Sequence, residues 1–186
     1  MQLPTLGLLR PLAVSARPDL VAEPVRRMLA AWPGREQVSV VEIDPDLADT
    51  AALVDAYRVP VTASANCVVV AGRRGGEERV AACVVRADTQ ADVNNVVRRL
   101  LDVRKASFLS RERAVRETEM EYGGITPVGL PPGWPVLVAA EVVDIPLAVI
   151  GSGVRRSKLL LPGHLLAQLP AAKVVASLAR VTPPPS

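Results

Sequence analysis

Aromatic side chains are scarce in this sequence, and their scarcity excludes one class of nucleic-acid-binding domain. The 186 residues include one Phe, two Tyr and two Trp. Domains that recognise single-stranded RNA on an open sheet stack successive bases on several exposed aromatic rings, so we do not expect such a sheet here. Hydrophobic residues nevertheless make up 49% of the chain and charged residues 22%, which indicates one globular domain rather than a disordered or coiled-coil chain.

Cysteine and histidine are also rare, which argues against metal chemistry and against a side-chain nucleophile. Cys67 and Cys83 lie within apolar runs, as buried reduced thiols commonly do. Together with the single histidine, His164, they cannot supply the four ligands of a structural zinc site. No nucleophile-elbow sequence accompanies His164, so a Ser-His-Asp triad is not indicated. The glycine turn at 151–153 lacks the third glycine of a dinucleotide-binding loop. We expect no metal ion and no cofactor.

Long apolar runs are lacking as well. None approaches the roughly 20 residues that a membrane-spanning helix needs, and residues 136–143 are interrupted by Glu141. The N-terminal segment has no basic region and is broken by Pro4 and Pro11, which is unlike a signal peptide. The sequence therefore predicts a cytoplasmic protein with no membrane partner.

The net charge is small, and it permits an anionic partner without requiring one. The chain carries a formal charge of +3 and has a pI of about 9.2. The basic residues gather in short clusters, each of which can be explained as solvated surface charge, with nucleic-acid contact as the alternative. The clusters are Arg73, Arg74 and Arg79; Arg98, Arg99, Arg104 and Lys105; and Arg155, Arg156 and Lys158.

Hydrophobic spacing predicts helices and strands without regular βαβ order, and hence a mixed-sheet α+β domain over residues 1–181. Residues 1–45 are interpreted as an arm and a helix, and 182–186 as a disordered tail. Thr89 and Asp92 form a TxxD variant of a capping box for a helix that continues to Leu101. The strands 67–71 and 79–85 are predicted to form a hairpin around the Gly-rich loop 72–78. The other predicted helices are 18–32, 50–57, 110–118 and 162–169, and the other predicted strands are 38–43, 105–108, 135–139, 147–150, 157–161 and 173–176.

Residues 121–135 are rich in Gly and Pro and too apolar for a simple solvated loop, which favours a structured loop at a functional surface. The glycine turns at 123–124 and 151–153 can present main-chain N–H groups to developing negative charge, as in an oxyanion site. The simpler interpretation of each turn is a tight turn and nothing more.

The ordered combination of hairpin, capped helix, KASF strand, GGITPVG, GSG and LPGHLLAQL resembles the YbaK/ProX-type aminoacyl-tRNA deacylases, which are related to the editing domain of bacterial prolyl-tRNA synthetases. The resemblance covers about residues 48–178, and its most specific part is 123–129, which matches the family's GGxxPxG loop. It implies a mixed, largely antiparallel curved sheet or partial barrel flanked by helices. It also implies hydrolysis in trans of a wrong amino acid, small or thiol-bearing, from tRNA, as for Ala- or Cys-tRNA(Pro).

The resemblance also implies which residues act. Backbone donors rather than a side-chain nucleophile would carry the reaction. Aminoacyl-tRNA is the implied partner, with an aminoacyl-tRNA synthetase as a further candidate partner. The implied catalytic residues are Asn66, Gly123, Gly124, Gly151, Ser152 and Gly153. The implied substrate-binding residues are Tyr122, Ile125, Thr126, Pro127 and His164. The implied tRNA-binding residues are Arg98, Arg99, Arg104, Lys105, Arg155, Arg156 and Lys158.

The chain departs from the family pattern at two positions. Asn66 stands where the family typically has a lysine, and His164 stands where an Asp is common. Asparagine keeps hydrogen bonding but loses the positive charge, which Lys105 or Lys158 could supply from another strand. The alternative function is therefore a catalytically inactive relative that binds tRNA, a synthetase or a small ligand in the same pocket. A structural domain with an incidental pocket is a third interpretation.

Overall fold

Two β-sheets joined at one point form the framework of the molecule. The structure is a computed structural model, and it describes residues 3–181, so the predicted tail at 182–186 lies outside the described residues. Its α-helices are α1 (Glu23–Ala31), α2 (Thr50–Tyr57), α3 (Arg98–Leu100), α4 (Arg111–Thr118) and α5 (Ala140–Val143). Its strands are β1 (Pro11–Ala13), β2 (Ser39–Glu42), β3 (Ala65–Arg74), β4 (Glu77–Arg86), β5 (Thr89–Ala91), β6 (Ala106–Phe108), β7 (Val136–Ala139), β8 (Ala148–Gly151), β9 (Ser157–Leu161), β10 (Ala172–Val175) and β11 (Ala179–Val181).

The sheets are mixed and largely antiparallel. One sheet has the order β1-β2-β9-β8, the second β10-β7-β4-β3-β6, and a small third sheet pairs β11 with β5. Only β7 pairs in parallel within the described sheets, with β4 on one side and β10 on the other. An isolated parallel bridge between Ser64 and Val149 links the start of β3 to β8 and so joins the two larger sheets. This arrangement confirms the predicted α+β class.

A single apolar core lies between these elements. Both larger sheets contribute fully buried side chains, among them Val40 and Leu160 from the first sheet and Val84 and Val138 from the second. Strand β7, the middle of β4 (residues 80–85) and the end of β9 (residues 159–161) are apolar runs, as expected for strand segments covered on both faces. No helix in the described part of the chain combines the length and apolarity needed to cross a bilayer.

The central hairpin extends further than the sequence analysis predicts. Strands β3 and β4 have ten residues each, and only Gly75 and Gly76 connect them, at φ of +60° and +86°. Two consecutive residues with positive φ make the tight hairpin turn that matches strand twist, and glycine adopts them without a Cβ penalty. The predicted loop 72–78 is therefore mostly strand, and opposite charges face each other at Arg73 and Glu78.

The predicted capping box at Thr89 is wrong. Thr89 belongs to β5, which pairs with β11 from the far end of the described chain. Asp92 alone caps the helical segment, because its Oδ1 accepts from the Asn95 amide at 3.2 Å. The segment begins as a π-turn over Val93–Val97 and continues into α3. The predicted helix 18–32 is also divided, into a 3-10 turn at Pro18–Leu20 and helix α1.

Candidate active site

A cavity of about 520 Å³ opens where the two larger sheets meet. Its walls come from the start of β3, from helix α2, from the end of β6, from the turn at 122–125 and from β8 and β9. Most of the lining is apolar, and the polar exceptions include Thr50, Ser64, Asn66 and Lys158. A concave, mainly apolar pocket with a few convergent polar groups is the usual form of a small-molecule site, for which volumes of about 300–1,000 Å³ are common.

The two predicted glycine turns are in direct contact at one end of this cavity. The Gly153 amide donates to the Gly124 carbonyl oxygen at 2.7 Å. A Cβ atom added to Gly151 would lie 2.4 Å from the Gly124 oxygen and 2.6 Å from the Ile125 oxygen. Position 151 therefore admits only glycine, because any side chain would separate the two backbone segments. We call the assembly of residues 121–125 and 151–155 the glycine corner.

The amides of the glycine corner divide into occupied and unoccupied donors. Gly124 donates its N–H to the Glu121 carbonyl at 2.9 Å, and Gly153 donates to Gly124, so both amides hold the corner together. Gly123 and Ile125 line the cavity, and within residues 3–181 their amides make no hydrogen bond. The amides of Gly123 and Ile125 are therefore free of described partners and open to a ligand, as is that of Tyr122; the family resemblance assigned Ile125 and Tyr122 to substrate binding and Gly123 to catalysis.

Three predicted site residues lie behind the cavity wall rather than on it. Ser152 is fully buried, and its hydroxyl bonds to the Ser157 hydroxyl at 2.7 Å and to the Ser157 carbonyl at 3.0 Å. These bonds close the turn between β8 and β9. Thr126 and Pro127 are also buried and do not line the cavity. These three residues are therefore part of the packing around the glycine corner and do not line the cavity.

Asn66, to which the family resemblance assigns a catalytic role, lies in the cavity wall. It belongs to β3 and is half-buried, and its side-chain Oδ1 accepts a hydrogen bond from the Thr50 hydroxyl at 3.0 Å. This bond orients the amide so that its nitrogen is the remaining donor. Asn66 Nδ2 has no hydrogen-bond partner among residues 3–181, so it is available to a ligand.

Lys158 is placed in the cavity wall and not on the outer surface where a tRNA-binding role would put it. Its residue is only 8% exposed, and its Nζ donates to the carbonyl oxygens of Ala48 at 2.8 Å and Gly123 at 3.3 Å. Burial lowers the pKa of Lys158 from its ordinary value to about 8, against the attraction of Asp49. The cavity therefore contains one buried amine close to its titration point at neutral pH.

Cys67 also lines the cavity, but its chemistry does not suit a nucleophile. Burial raises the pKa of the Cys67 thiol, and the neighbouring Cys83 raises it further. The reactive form of cysteine is the thiolate, so this thiol stays protonated and unreactive. Both cysteines are free thiols on the paired strands β3 and β4; Cys83 is buried, as the sequence predicts for both, whereas Cys67 is only partly buried.

Two exposed aromatic rings border the cavity. Phe108 is 61% exposed at the end of β6, and Tyr122 is 48% exposed before the glycine corner. The guanidinium of Arg111 lies 4.5 Å from the centre of the Tyr122 ring, within the range of a cation-π contact. We call Phe108, Arg111 and Tyr122 the rim. Sequence analysis missed Phe108 and Arg111, although a lone Phe ending a short strand beside a capped helix was a usable signal.

The remaining predicted residues lie elsewhere. His164 is exposed on the 3-10 helix Gly163–Gln168 and does not line the cavity. Arg155 donates to the carbonyl oxygens of Tyr122 and Pro45, and Arg156 donates to that of Asp19, so both stabilise the turn that contains them. The basic residues that stay at the surface around α3 are Arg98, Arg99, Arg104 and Lys105.

Comparison with known proteins places this site in context. The sequence model of the aminoacyl-tRNA editing domain family matches residues 44–169. A candidate trans-editing enzyme for prolyl tRNA synthetase has a TM-score of 0.69 and 20% identity, over 83% of this chain and 96% of its own. The hypothetical protein APE2540 has a TM-score of 0.67 and 18% identity, over 76% and 90% of the two chains. No curated protein matches the sequence significantly. At these identities the structural likeness shows the fold alone.

Proposed function

We propose, since the chain belongs to the aminoacyl-tRNA editing domain family, that it hydrolyses in trans the ester that joins a wrong amino acid to the 3′ end of a tRNA. The observation that supports this best is the glycine corner, which offers unoccupied amides to a cavity that contains no activated nucleophile among its described lining residues. Ester hydrolysis by a bound water requires oriented donors and does not require a side-chain nucleophile.

The proposed substrate class rests on the family resemblance and on the kind of synthetase error that needs removal. We propose that the amino acid is small or thiol-bearing, as in Ala-tRNA(Pro) or Cys-tRNA(Pro). A synthetase pocket that must distinguish side chains differing by one methylene discriminates by only about 1–3 kcal/mol, so a second site has to remove its errors. Apolar walls such as Ile125 and Val149 would accept a short aliphatic or thiol side chain.

Each residue of the site has a proposed role in the reaction. Water attacks the carbonyl carbon, and the carbonyl electron pair moves onto its oxygen. The Gly123 and Ile125 amides would donate hydrogen bonds to that oxygen, and the Asn66 amide would orient the acyl group. Collapse of the intermediate breaks the bond to the ribose oxygen, which takes a proton from the attacking water. Gly124, Gly151 and Gly153 would position the donors and would not contact the substrate.

The tRNA end would be bound outside the cavity. Aromatic rings stack on any base, and single-stranded ends offer unpaired bases for this purpose. We propose that Phe108 and Tyr122 of the rim stack on the terminal bases and that Arg111 contributes a cation beside them. The basic residues around α3, namely Arg98, Arg99, Arg104 and Lys105, would contact phosphates, so affinity would fall as salt rises.

The test is a panel of mischarged tRNAs, each carrying one small, thiol-bearing or large amino acid. We expect faster ester loss than in buffer for small or thiol-bearing amino acids, and much slower loss for large ones. Asn66→Asp should reduce this activity, since it replaces the orienting amide donor with an acceptor. Asn94→Asp, at an exposed position on the π-turn, makes the same change of charge and should leave activity unchanged.

Two outcomes would contradict the proposal. No acceleration for any aminoacyl-tRNA, over a wide range of enzyme concentration, would exclude deacylation as the function. If the same protein still bound tRNA in a salt-dependent manner, the non-catalytic alternative would replace it. Equal activity of the Asn66→Asp and Asn94→Asp variants would remove Asn66 from the site.

A further inference from the structure

We propose that Lys158 is a catalytic residue of this site. Its ammonium group donates a hydrogen bond to the carbonyl oxygen of the ester, which becomes negatively charged during hydrolysis. This inference rests on the proposed deacylase function and adds to it a cationic group at the reaction centre. It also moves Lys158 from the tRNA-binding surface, where the sequence analysis placed it, into the cavity.

The geometry leaves one donor of Lys158 unused. An ammonium group has three N–H donors, and Ala48 and Gly123 accept two of them, at 2.8 and 3.3 Å. The third has no partner among residues 3–181, and the side chain forms part of the cavity wall. Gly123, which accepts from Lys158, also lines the cavity, and its own amide makes no hydrogen bond among the described residues, so one ligand could contact both the ammonium and that amide.

Folding alone does not account for this lysine. Removing an ammonium from water is costly, and a buried charge is usually compensated by a carboxylate partner. Lys158 makes no ion pair within the described chain, although its strand neighbours Leu159, Leu160 and Leu161 are all fully buried apolar residues. A hydrophobic residue at position 158 would continue that apolar pattern and would avoid the free-energy cost of removing an ammonium group from water. Strongly perturbed groups in clefts are candidates for function for this reason.

One polar side chain in the wall of the same cavity has no hydrogen-bond partner among the described residues. Ser64 is only 3% exposed, and its hydroxyl makes no hydrogen bond to any residue in the described part of the chain. Ser64 lines the cavity and bridges to Val149 on β8, the strand that also pairs with β9 at Lys158. Buried polar groups are nearly always satisfied, so the unpartnered Ser64 hydroxyl, together with the third Lys158 donor that no described residue accepts, indicates a polar ligand in this cavity.

The other lysines of the chain do not fit this role. Lys105 is exposed at the start of β6 and does not line the cavity, and Lys173 is exposed on β10 at the far edge of its sheet. Of the two lysines that the sequence offered as a substitute for a charge at Asn66, only Lys158 therefore shares a cavity with Asn66. In this cavity the lysine therefore lies on β9, whereas Asn66 lies on β3.

The reaction balances without proton transfer from Lys158. The water oxygen bonds to the carbonyl carbon, and the ammonium stabilises the resulting oxyanion through its hydrogen bond while it keeps its own proton. The bond between carbon and ribose oxygen then breaks, and the proton released by the water passes to that oxygen. The products are the free amino acid and a tRNA with its terminal hydroxyl restored.

The first test compares Lys158→Met with Lys173→Met, which removes the same charge from an exposed position outside the site. Removing one oxyanion donor typically costs about 100-fold to 1,000-fold in rate, so we expect Lys158→Met to lose about 100-fold in kcat/KM and Lys173→Met to lose none. Thermal unfolding should show both variants folded, since replacing a buried charge by an apolar side chain is often neutral or stabilising.

The pH profile separates a catalytic cation from a structural one. With the non-enzymatic rate subtracted, the wild-type rate should fall as pH rises above about 8, because the ammonium loses its proton. Lys158→Met should lack this decline. The titratable and charged groups nearest to Lys158 or sharing its cavity are Asp49, Arg155, Arg111, Tyr122 and Cys67. A decline that persists in Lys158→Met would assign it to one of these groups and overturn the proposal.

A binding measurement distinguishes failure of this inference from failure of the proposed function. The probe is an adenosine with alanine attached through a non-hydrolysable 3′-amide. A hydrogen bond from a charged donor contributes about 1.5 kcal/mol or more, so Lys158→Met should bind the probe about tenfold more weakly than Lys173→Met. If the wild type hydrolyses aminoacyl-tRNA but the two variants match in rate and affinity, Lys158 is not catalytic. If the wild type hydrolyses no aminoacyl-tRNA, the proposed deacylase function is wrong and the catalytic role of Lys158 is wrong with it. Weaker probe binding by Lys158→Met than by Lys173→Met would in that case show that Lys158 contacts a ligand without taking part in catalysis.

Discussion

The glycine corner and the tip of the β3–β4 hairpin contain the same kinds of residue in different circumstances. Each has a pair of glycines beside a group of basic side chains. At the hairpin tip, a Cβ atom added to Gly75 or Gly76 would meet nothing within 4 Å. At the corner, a Cβ atom on Gly151 would collide with two backbone oxygens. Glycine serves chain reversal at the tip and close approach of two segments at the corner.

The positive charges of the two regions differ in the same way. At the tip, Arg73 pairs with Glu78 at 3.6 Å, and Arg74 and Arg79 both pair with Asp102, all with exposed or partly exposed side chains. At the corner, Lys158 is buried and has no carboxylate partner within the described residues. Exposed pairs contribute little to stability, whereas an unpaired buried cation is costly and needs a functional reason. Residue composition alone therefore does not distinguish the candidate functional cluster from the hairpin tip. The burial of the basic side chain and its lack of an ion-pair partner do distinguish them.

The largest expected difference between the two regions comes from replacing one glycine in each by alanine. Gly151→Ala should destabilise the protein by about 3 kcal/mol or more, because it forces two backbone segments apart, and should abolish deacylation. Gly76→Ala adds only the strain of a positive φ, about 1–2 kcal/mol, and should keep activity. Urea unfolding and the deacylation assay measure both. Equal losses of stability would mean that the corner is no tighter than the tip.

The pH dependence of stability tests whether the Lys158 charge is buried at a cost. Its pKa in the folded protein, about 8, lies below its ordinary value of 10.5. Between these values the unfolded chain holds a proton that the folded chain has lost, so unfolding free energy rises with pH in that window. The stability that Lys158→Met gains over wild type should therefore be largest below pH 8 and should shrink by up to about 3 kcal/mol toward pH 10.5.

Urea unfolding near pH 7 and near pH 10 would measure this change, with Lys173→Met as the control whose difference from wild type stays constant. A constant difference for Lys158→Met as well would show that Lys158 titrates normally in the folded protein. The charge distinction between the corner and the tip would then be lost, although the contrast between the glycines would stand.

Substitution of an aromatic residue of the rim should have a smaller effect, which we expect only on the affinity for tRNA. Base stacking on one aromatic ring contributes about 1–3 kcal/mol, so Phe108→Ala should weaken tRNA binding about tenfold. The stability should hardly change, because Phe108 is 61% exposed. Val174→Ala, an exposed apolar position on β10, is the matched control. Equal tRNA affinity of the two variants, measured by filter binding, would remove Phe108 from the tRNA surface.

The hairpin tip should give the smallest effect. Arg74→Met removes an exposed ion pair with Asp102 and should change the free energy of unfolding by less than about 0.5 kcal/mol, with no change in deacylation. Chemical denaturation and the standard assay check this. A large loss of activity would show that the tip contacts the substrate, contrary to the comparison.

Sequence reasoning was most successful where a pattern is local. The apolar runs at 67–71 and 79–85 predicted the central hairpin, and Ser110 predicted the start of α4, where its hydroxyl accepts from the Arg113 amide at 3.4 Å. It failed at Thr89, because the partner strand β11 lies about ninety residues further along the chain, at 179–181. No local signal at Thr89 indicates that partner, so a polar residue three before Asp92 resembles a cap.

The candidate site shows the same limit. The glycine motif and Asn66 were found from their types and order, but His164 was included and Phe108 and Arg111 were not. The amides of Gly124 and Gly153 were expected to serve the ligand, and the structure uses them to hold the corner. Which donors stay unoccupied depends on which carbonyls come near them, and that is settled only when the segments pack together.

The amino-acid order by itself determined the longer apolar strands, the helix start at Ser110 and the glycine turns, because side-chain periodicity and the φ preferences of glycine act over a few residues. It also determined the family, through the ordered motif at 123–129 and 151–153. Only the tertiary structure decided that Lys158 is buried and Lys105 exposed. Lys158 reaches Ala48 and Gly123, which lie 110 and 35 residues away in sequence, and charge burial depends on such distant neighbours.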